Sequence, residues 1–206
     1  MDIPAFTDQD FNVFHIEGLD PRMEQLKSTL RPKLEVLGQY FSSVLSVMTG
    51  DEMFYHVAKH ARRTKNPPND TWVAFARSKR GYKMLPHFQI GLWPTHLFIW
   101  VAVINECPQK AEIGKRLEKE AGPLLENIPG HYVWSDDHTK PGATRMDHMD
   151  KQDFKNLFIR MQTVKKSEML CGLQIPKDEA VKMSPDALVK TIGNVFVHVL
   201  PLYKMA

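Results

Sequence analysis

Residues 87–103 read HFQIGLWPTHLFIWVAV, and this stretch decides the fold. Apolar side chains recur at every second position on both sides of Pro94-Thr95, which is the periodicity of β-strands. We therefore predict strands near 87–93 and 96–105, joined by a two-residue hairpin loop. A four-residue loop is the alternative, because proline is not favoured at the first position of the usual hairpin turns.

The alternation sorts the side chains of this hairpin onto two faces. A two-residue loop would set Gln89 opposite Trp100 on one of them. One face is purely apolar and must be covered by helices; it consists of Phe88, Ile90, Leu92, Leu97, Ile99, Val101 and Val103. The second face combines polar and aromatic groups, namely His87, Gln89, Trp93, His96, Phe98 and Trp100.

Strand and helix signals extend from the hairpin in both directions. Runs of β-branched and aromatic residues predict further strands near 54–61, 71–77, 131–134 and 168–176. Apolar residues at helical spacing predict helices near 20–50, 108–125, from 150 onward, and 184–201. Pro32 must kink or break the first helix, and we favour a kink. The pattern predicts an α+β fold in one domain over 1–206, with a largely antiparallel sheet, a central four-strand meander, and helices on its apolar face.

Composition excludes several classes of protein. The longest apolar run, Leu97 to Ile104, has eight residues, which is too short for a transmembrane helix. Acidic residues and no apolar core near the start argue against a secretory signal, so we expect a cytoplasmic protein without membrane contact. Two cysteines, Cys107 and Cys171, are too few for a disulfide framework or a four-sulfur zinc site.

Positive charge is concentrated in one part of the chain. The net charge is only +3, but the segment between His56 and His87 holds eight basic side chains and a single acid, Asp70, for a net charge of +7. Such segregation would attract phosphates or other anions. The alternative is an ordinary solvated loop edge.

These patterns lead to a binding hypothesis. The polar and aromatic sheet face, together with the basic loops 62–65 and 77–83, would recognise a flat, anionic small molecule or nucleotide, with nucleic acid a weaker candidate. The basic groups would have to converge from two loops at opposite ends of a strand, which requires one loop to fold back. The candidate ligand-binding residues are His56, His60, Arg62, Arg63, Arg77, Lys79, Arg80, His87, Gln89, Trp93, His96 and Trp100.

Three alternatives remain beside this hypothesis. The face could be a second core layer, and the protein could be an interaction module. It could also be an enzyme acting on a phosphorylated metabolite, with a histidine as general acid or base and arginines as clamps. The histidines considered for that role are His56, His60, His87 and His138.

Metal and cofactor signals are weak. His56 and His60 lie four residues apart, and the long 135–149 segment holds two clusters of acids and histidines. Neither spacing matches a metalloprotease or four-ligand pattern, so we predict no bound metal. The glycines form no dinucleotide or P-loop motif and no nucleophile elbow, so we predict no cofactor and assign no catalytic residue. The clusters in the long segment are Asp136, Asp137, His138, Asp147 and His148.

Several longer strings support a family resemblance. They are TGDEMF at 49–54, HVAKHARRT at 56–64, RSKRGYK at 77–83, LPHFQIGLW at 85–93, DHTKPGA at 137–143 and LCG at 170–172. In these strings, and over nearly its whole length, the chain resembles the YktB-like family of uncharacterised bacterial proteins. The resemblance implies a single cytoplasmic α+β domain and supplies no catalytic residue.

Overall fold

The predicted hairpin lies at the centre of a seven-stranded, entirely antiparallel sheet in the computed structural model, which describes residues 2–206 apart from the side chain of Leu124. The strand order is β1-β2-β3-β4-β7-β5-β6. The α+β class and the meander of the first four strands are confirmed. The strands are β1 Phe54–Val57, β2 Thr71–Ala76, β3 His87–Trp93, β4 His96–Val103, β5 Val133–Ser135, β6 Thr144–Arg145 and β7 Met169–Pro176.

The hairpin register is the one that a two-residue loop requires. Trp93 pairs with His96, and Gln89 pairs with Trp100. Strand β1 stops at Val57, four residues earlier than predicted, because the chain there leaves the sheet for the long β1–β2 loop.

Eight α-helices accompany the sheet in the part of the chain that the structure describes. They are α1 Asp8–Asn12, α2 Leu19–Gln25, α3 Arg31–Thr49, α4 Lys110–Glu120, α5 Gly122–Leu125, α6 Lys151–Thr163, α7 Lys177–Ala180 and α8 Pro185–Met205. A π-helical turn, Leu26–Leu30, joins α2 to α3, and short 3₁₀ turns cover Val13–His15 and Met146–His148. No helix within residues 2–206 is long and apolar enough to cross a bilayer.

Two helices contain a proline and are not broken by it. Pro32 does not break the first helix: a wider turn precedes it, with the N–H of Arg31 bonded to the carbonyl of Leu26, and Pro32 lies near the start of α3, where a missing N–H costs little. Helix α8 continues through Pro201 to Met205. The reason is burial, because Tyr203 beyond the proline stacks on Phe88 with ring centroids 4.6 Å apart.

The apolar face of the hairpin is the main core. All seven side chains predicted to be buried there have no exposed surface, and α8 and α3 pack on this side of the sheet. Phe196 of α8 makes edge contacts with Phe88, Phe75 and Phe41 at centroid distances of 5.1, 6.1 and 5.6 Å. The prediction for this face is therefore confirmed.

The second face of the sheet is also closed. His87, Gln89, Trp93, His96, Phe98 and Trp100 are all buried. Tyr82, from the β2–β3 loop, folds back so that its ring lies 4.8 Å from that of His87, and its hydroxyl accepts a 2.9 Å hydrogen bond from the Trp72 indole. Ala143, from the β5–β6 loop, packs against the buried cluster that contains Trp93 and Trp100. The face is thus a second core layer and not an open platform on which a flat ligand could stack.

Candidate functional site

A histidine–glutamate pair lies at the edge of this second face. His138 is in the loop after β5, and Glu168 immediately precedes β7. The Nδ1 atom of His138 is 2.9 Å from Glu168 Oε1 and 2.7 Å from Oε2, and the His138 main-chain N–H donates to Oε2 at 2.7 Å. The Glu168 side chain is 1% exposed and that of His138 is 20% exposed. The pair therefore combines a buried carboxylate with an imidazole that solvent can reach.

The Glu168 carboxylate is held in place from a second direction. Asn105, just after β4, donates its main-chain N–H and its side-chain amide to Oε1 at 3.0 and 2.8 Å. The Glu168 N–H donates to the carbonyl of Asp136 at 3.0 Å, so both loops are tied together. Because Nδ1 is bound to the carboxylate, Nε2 is the nitrogen of His138 that is free to exchange a proton.

The carboxylate also sets the proton affinity of the imidazole. Burial lowers the pKa of His138, but the hydrogen bond to Glu168 and its negative charge, helped by Glu106, raise it more. The net pKa lies above the usual 6.5. The imidazole therefore keeps its proton to higher pH than a free histidine does.

Other titratable side chains share the electrostatic field of His138. Burial raises the pKa of Asp70 to about 6, and the charges of His138 and Arg63 only partly offset that rise. Burial likewise raises the pKa of Tyr82 to about 12, with the Trp72 hydrogen bond opposing it and Asp70 contributing. Buried groups whose pKa values depend on one another in this way are typical of functional sites.

His87, by contrast, is a satisfied core residue. Nδ1 lies 2.8 Å from the carbonyl of Leu85, and Nε2 lies 3.0 Å from the side-chain nitrogen of Gln89. Burial lowers its pKa to about 4, so the ring is neutral at neutral pH. Because both ring nitrogens are hydrogen-bonded, His87 is not available as an acid or base.

His56 and His60 do not form a pair of ligands. The predicted spacing assumed one strand, but β1 ends at Val57 and His60 adopts a left-handed conformation with φ of 51°. The Nε2 atom of His56 is 2.8 Å from the carbonyl of Ser78, whereas that of His60 is 3.3 Å from the Thr71 hydroxyl. The two rings therefore serve separate contacts.

His96 is likewise part of the packing. Its Nδ1 lies 2.8 Å from the Thr95 hydroxyl, while Nε2 is buried without a hydrogen-bond partner. Burial lowers its pKa to about 4. Gln89, Trp93 and Trp100 are buried with it, so none of these four predicted ligand-binding residues is accessible in this conformation.

The predicted basic residues do not all lie on the same side of the sheet. Arg62, Arg63, Lys79 and Arg80 are exposed on the two loops that flank Trp72 and Tyr82. The Tyr82–Trp72 hydrogen bond shows that the loop holding Lys79 and Arg80 folds back toward the start of β2. Arg77 is separated from this group, and it lies instead on the helical side of the sheet.

The candidate metal ligands of the 135–149 segment are engaged elsewhere. Asp136 pairs with Arg160 at 3.1 Å, Asp137 with Lys140 at 2.9 Å, and Asp147 with Arg145. Across residues 2–206, no three histidine, cysteine or acidic side chains converge in a metal-binding arrangement. The segment is not structureless either, since it contains β6 and a 3₁₀ turn.

Comparison with known sequences places this architecture in a family. Residues 6–203 match the model of a domain of unknown function, DUF1054. The chain belongs to the DUF1054 family. It is 56% identical over 200 residues to a UPF0637 protein of Bacillus velezensis, covering 97% of this chain and 95% of that protein. It is 48% identical over 205 residues to a UPF0637 protein of Bacillus mycoides, covering 100% and 99%. The YktB-like family is the UPF0637 family, so the predicted resemblance is confirmed.

Sequence reasoning missed two acids of the site in this DUF1054 protein. Glu168 stands 30 residues after His138, and nothing in the sequence joins them. Asp70 did carry a signal, because it is the single acid within the basic segment. An isolated acid among cations is a reason to examine its surroundings.

Replacing Asp70 by asparagine should stabilise this DUF1054 protein above pH 6. The pKa of Asp70 is raised from 3.8 to about 6, so its protonated form favours the folded state. This contribution to stability is lost as the pH rises through 6, where the buried carboxyl ionises. We expect Asp70→Asn to increase the free energy of unfolding by about 2 kcal/mol at pH 8 and by much less at pH 4. Urea denaturation at both pH values measures this. The exposed Asp2→Asn is the control, and an equal effect of the two variants would contradict the prediction.

Proposed function

We propose that this protein is an enzyme that transfers a proton during hydrolysis of a small phosphorylated molecule, with His138 as the general acid–base group. The observation that carries the proposal is the buried Glu168 carboxylate, which binds Nδ1 and leaves Nε2 free. A carboxylate in this position fixes the imidazole tautomer and stabilises the imidazolium. Asn105 makes the arrangement rigid.

Positive charge around the pair supports an anionic substrate. Lys83, which forms a 3.0 Å ion pair with Glu106, lies near enough for its charge to oppose protonation of both His138 and His87. Arg63 acts in the same way on His60 and favours the ionised form of Asp70. Together with the exposed Arg62, Lys79 and Arg80, these side chains would attract a phosphate group.

The residues would divide the reaction as follows. His138 Nε2 accepts a proton from water as the water oxygen attacks phosphorus. The phosphorus–oxygen bond to the alcohol breaks, the alcohol takes a proton from solvent, and His138 then returns the proton that it accepted to solvent. Glu168 stabilises the positive imidazolium during this step. A cytoplasmic location forms part of the proposal, because phosphorylated metabolites are found there and the two buried thiols would stay reduced.

Turnover of chromogenic phosphate esters tests the proposal. We expect hydrolysis of p-nitrophenyl phosphate or bis(p-nitrophenyl) phosphate, and we expect His138→Ala to reduce kcat/KM by about 100-fold or more. His148→Ala is the matched control, because His148 lies in the same segment and its side chain is 71% exposed. Glu168→Gln should move the acidic limb of the pH profile to lower pH, since it removes the charge that raises the pKa of His138.

Two results would contradict the proposal. One is the absence of turnover with both esters by the folded protein, and the other is turnover that His138→Ala leaves intact. Saturable binding of these esters without turnover would instead support the simpler anion-binding hypothesis.

A further inference from the structure

A second basic site lies on the helical side of the sheet, away from His138. Arg77 follows β2, Arg116 belongs to α4, and Lys204 lies in the last turn of α8. These three side chains line one hollow of about 370 Å³, which we call the Arg77 hollow. Its other walls are Thr49, Asp51, Pro86, Gln109, Tyr203 and Ala206.

Basic side chains outnumber acidic ones on the walls of the Arg77 hollow. None of Arg77, Arg116 and Lys204 forms an ion pair within residues 2–206, and Asp51 is the one acidic side chain on the walls. Like charges around one concave space repel each other, and a bound anion would relieve that repulsion.

Two helix ends shape the field in the hollow. Helix α4 begins beside it, with Gln109 as the N-cap residue and no side chain capping the first turn. The end of α8 would repel an anion, but Arg116 donates a 2.7 Å hydrogen bond to the carbonyl of Met205 and compensates that end. The two helix ends therefore act in opposite directions, and the net positive charge of the hollow comes from its side chains.

We propose that the Arg77 hollow binds a compact, phosphate-bearing small molecule at a site separate from the His138 pair. Two guanidinium groups and an ammonium group are the donors that proteins use for phosphate. The volume is within the range of small-molecule sites. This inference does not rest on the proposed activity.

A titration with inorganic pyrophosphate, followed by amide resonances in phosphate-free buffer, tests the site. We expect saturable shifts at residues 77, 109, 116 and 204. Arg77→Gln and Lys204→Gln should each weaken the affinity by about fivefold or more, because each removes one cation. Both side chains are exposed, so unchanged thermal unfolding confirms that the variants fold.

Controls separate this site from the proposed active site. Arg63→Gln and His138→Ala should leave the pyrophosphate affinity unchanged. Shifts without saturation, or affinities that Arg77→Gln and Lys204→Gln do not alter, would overturn the proposal. Preferential binding of a single-stranded oligonucleotide, with shifts along 62–65 and none at the hollow, would also overturn it in favour of nucleic acid.

Discussion

Acidification from pH 7 to pH 4 should lower the free energy of unfolding by several kcal/mol. Burial lowers the pKa values of His60, His87 and His96 from 6.5 to about 4. The unfolded chain therefore binds protons that the folded chain excludes, and stability falls as the pH drops from 6.5 to about 4. The fully buried ring of His87 contributes about 3 kcal/mol over this window, and the half-buried ring of His60 contributes less. Urea denaturation over a pH series measures the slope.

Two other groups oppose this loss. Asp70 and His138 have raised pKa values, so their protonation favours the folded state in acid. The pKa of Asp137 is lowered to about 2, mainly by its hydrogen bond with Thr139. Protonation of this carboxylate therefore lowers the stability of the folded protein only below pH 4. We therefore expect a net loss of stability between pH 6.5 and 4.

A single variant isolates the contribution of His87. His87→Gln should reduce the loss of stability between pH 7 and pH 4 by about 3 kcal/mol, whatever its cost at neutral pH. The exposed His148→Gln should leave the pH dependence unchanged. An unchanged slope in His87→Gln would mean that its ring is charged in the folded protein.

Replacing Lys110 by methionine should cost about 3 to 4 kcal/mol of stability. Lys110 is a buried lysine at the first position of α4. Its ammonium group donates to the carbonyls of Val164, Lys165 and Ser167 at 2.8, 2.9 and 2.7 Å. Methionine fills a similar volume but leaves three carbonyls without this partner.

The same change should disturb the functional site. Ser167 directly precedes Glu168, so loosening this turn would allow the carboxylate to move away from His138. Urea denaturation measures the stability, and the imidazole resonance of His138 reports its pKa, which should fall toward 6.5. Lys115→Met, an exposed position of the same helix, is the control. Equal stability of the two variants would contradict the role assigned to Lys110.

The sequence alone predicted the elements whose patterns are local. The period-two alternation of 87–103 determined the strands, the register and the buried face, because a shift of one residue would turn every apolar side chain toward solvent. Helix α6 begins after Asp150, as predicted, since the carboxylates of Asp150 and Asp153 form a capping box with main-chain N–H groups. Signals of this kind lie within a few residues of each other.

Only the tertiary structure decided what covers the second sheet face and where the site lies. The alternation places His87 and Trp100 on that face. It does not predict whether a ligand or a loop covers the face, because either one would remove the same surface from water. The cover comes from two loops that are distant in sequence.

The chemistry of the site also depends on approaches between distant segments. His138 meets Glu168 because β5 and β7 are neighbours in the sheet, although 30 residues separate the two side chains. Arg77 parts from Arg63 because the two lie beyond opposite ends of β2. Composition and spacing determined which groups this protein has available. Strand order determined which of these groups lie close enough to interact electrostatically, because such interactions act through space and not along the chain.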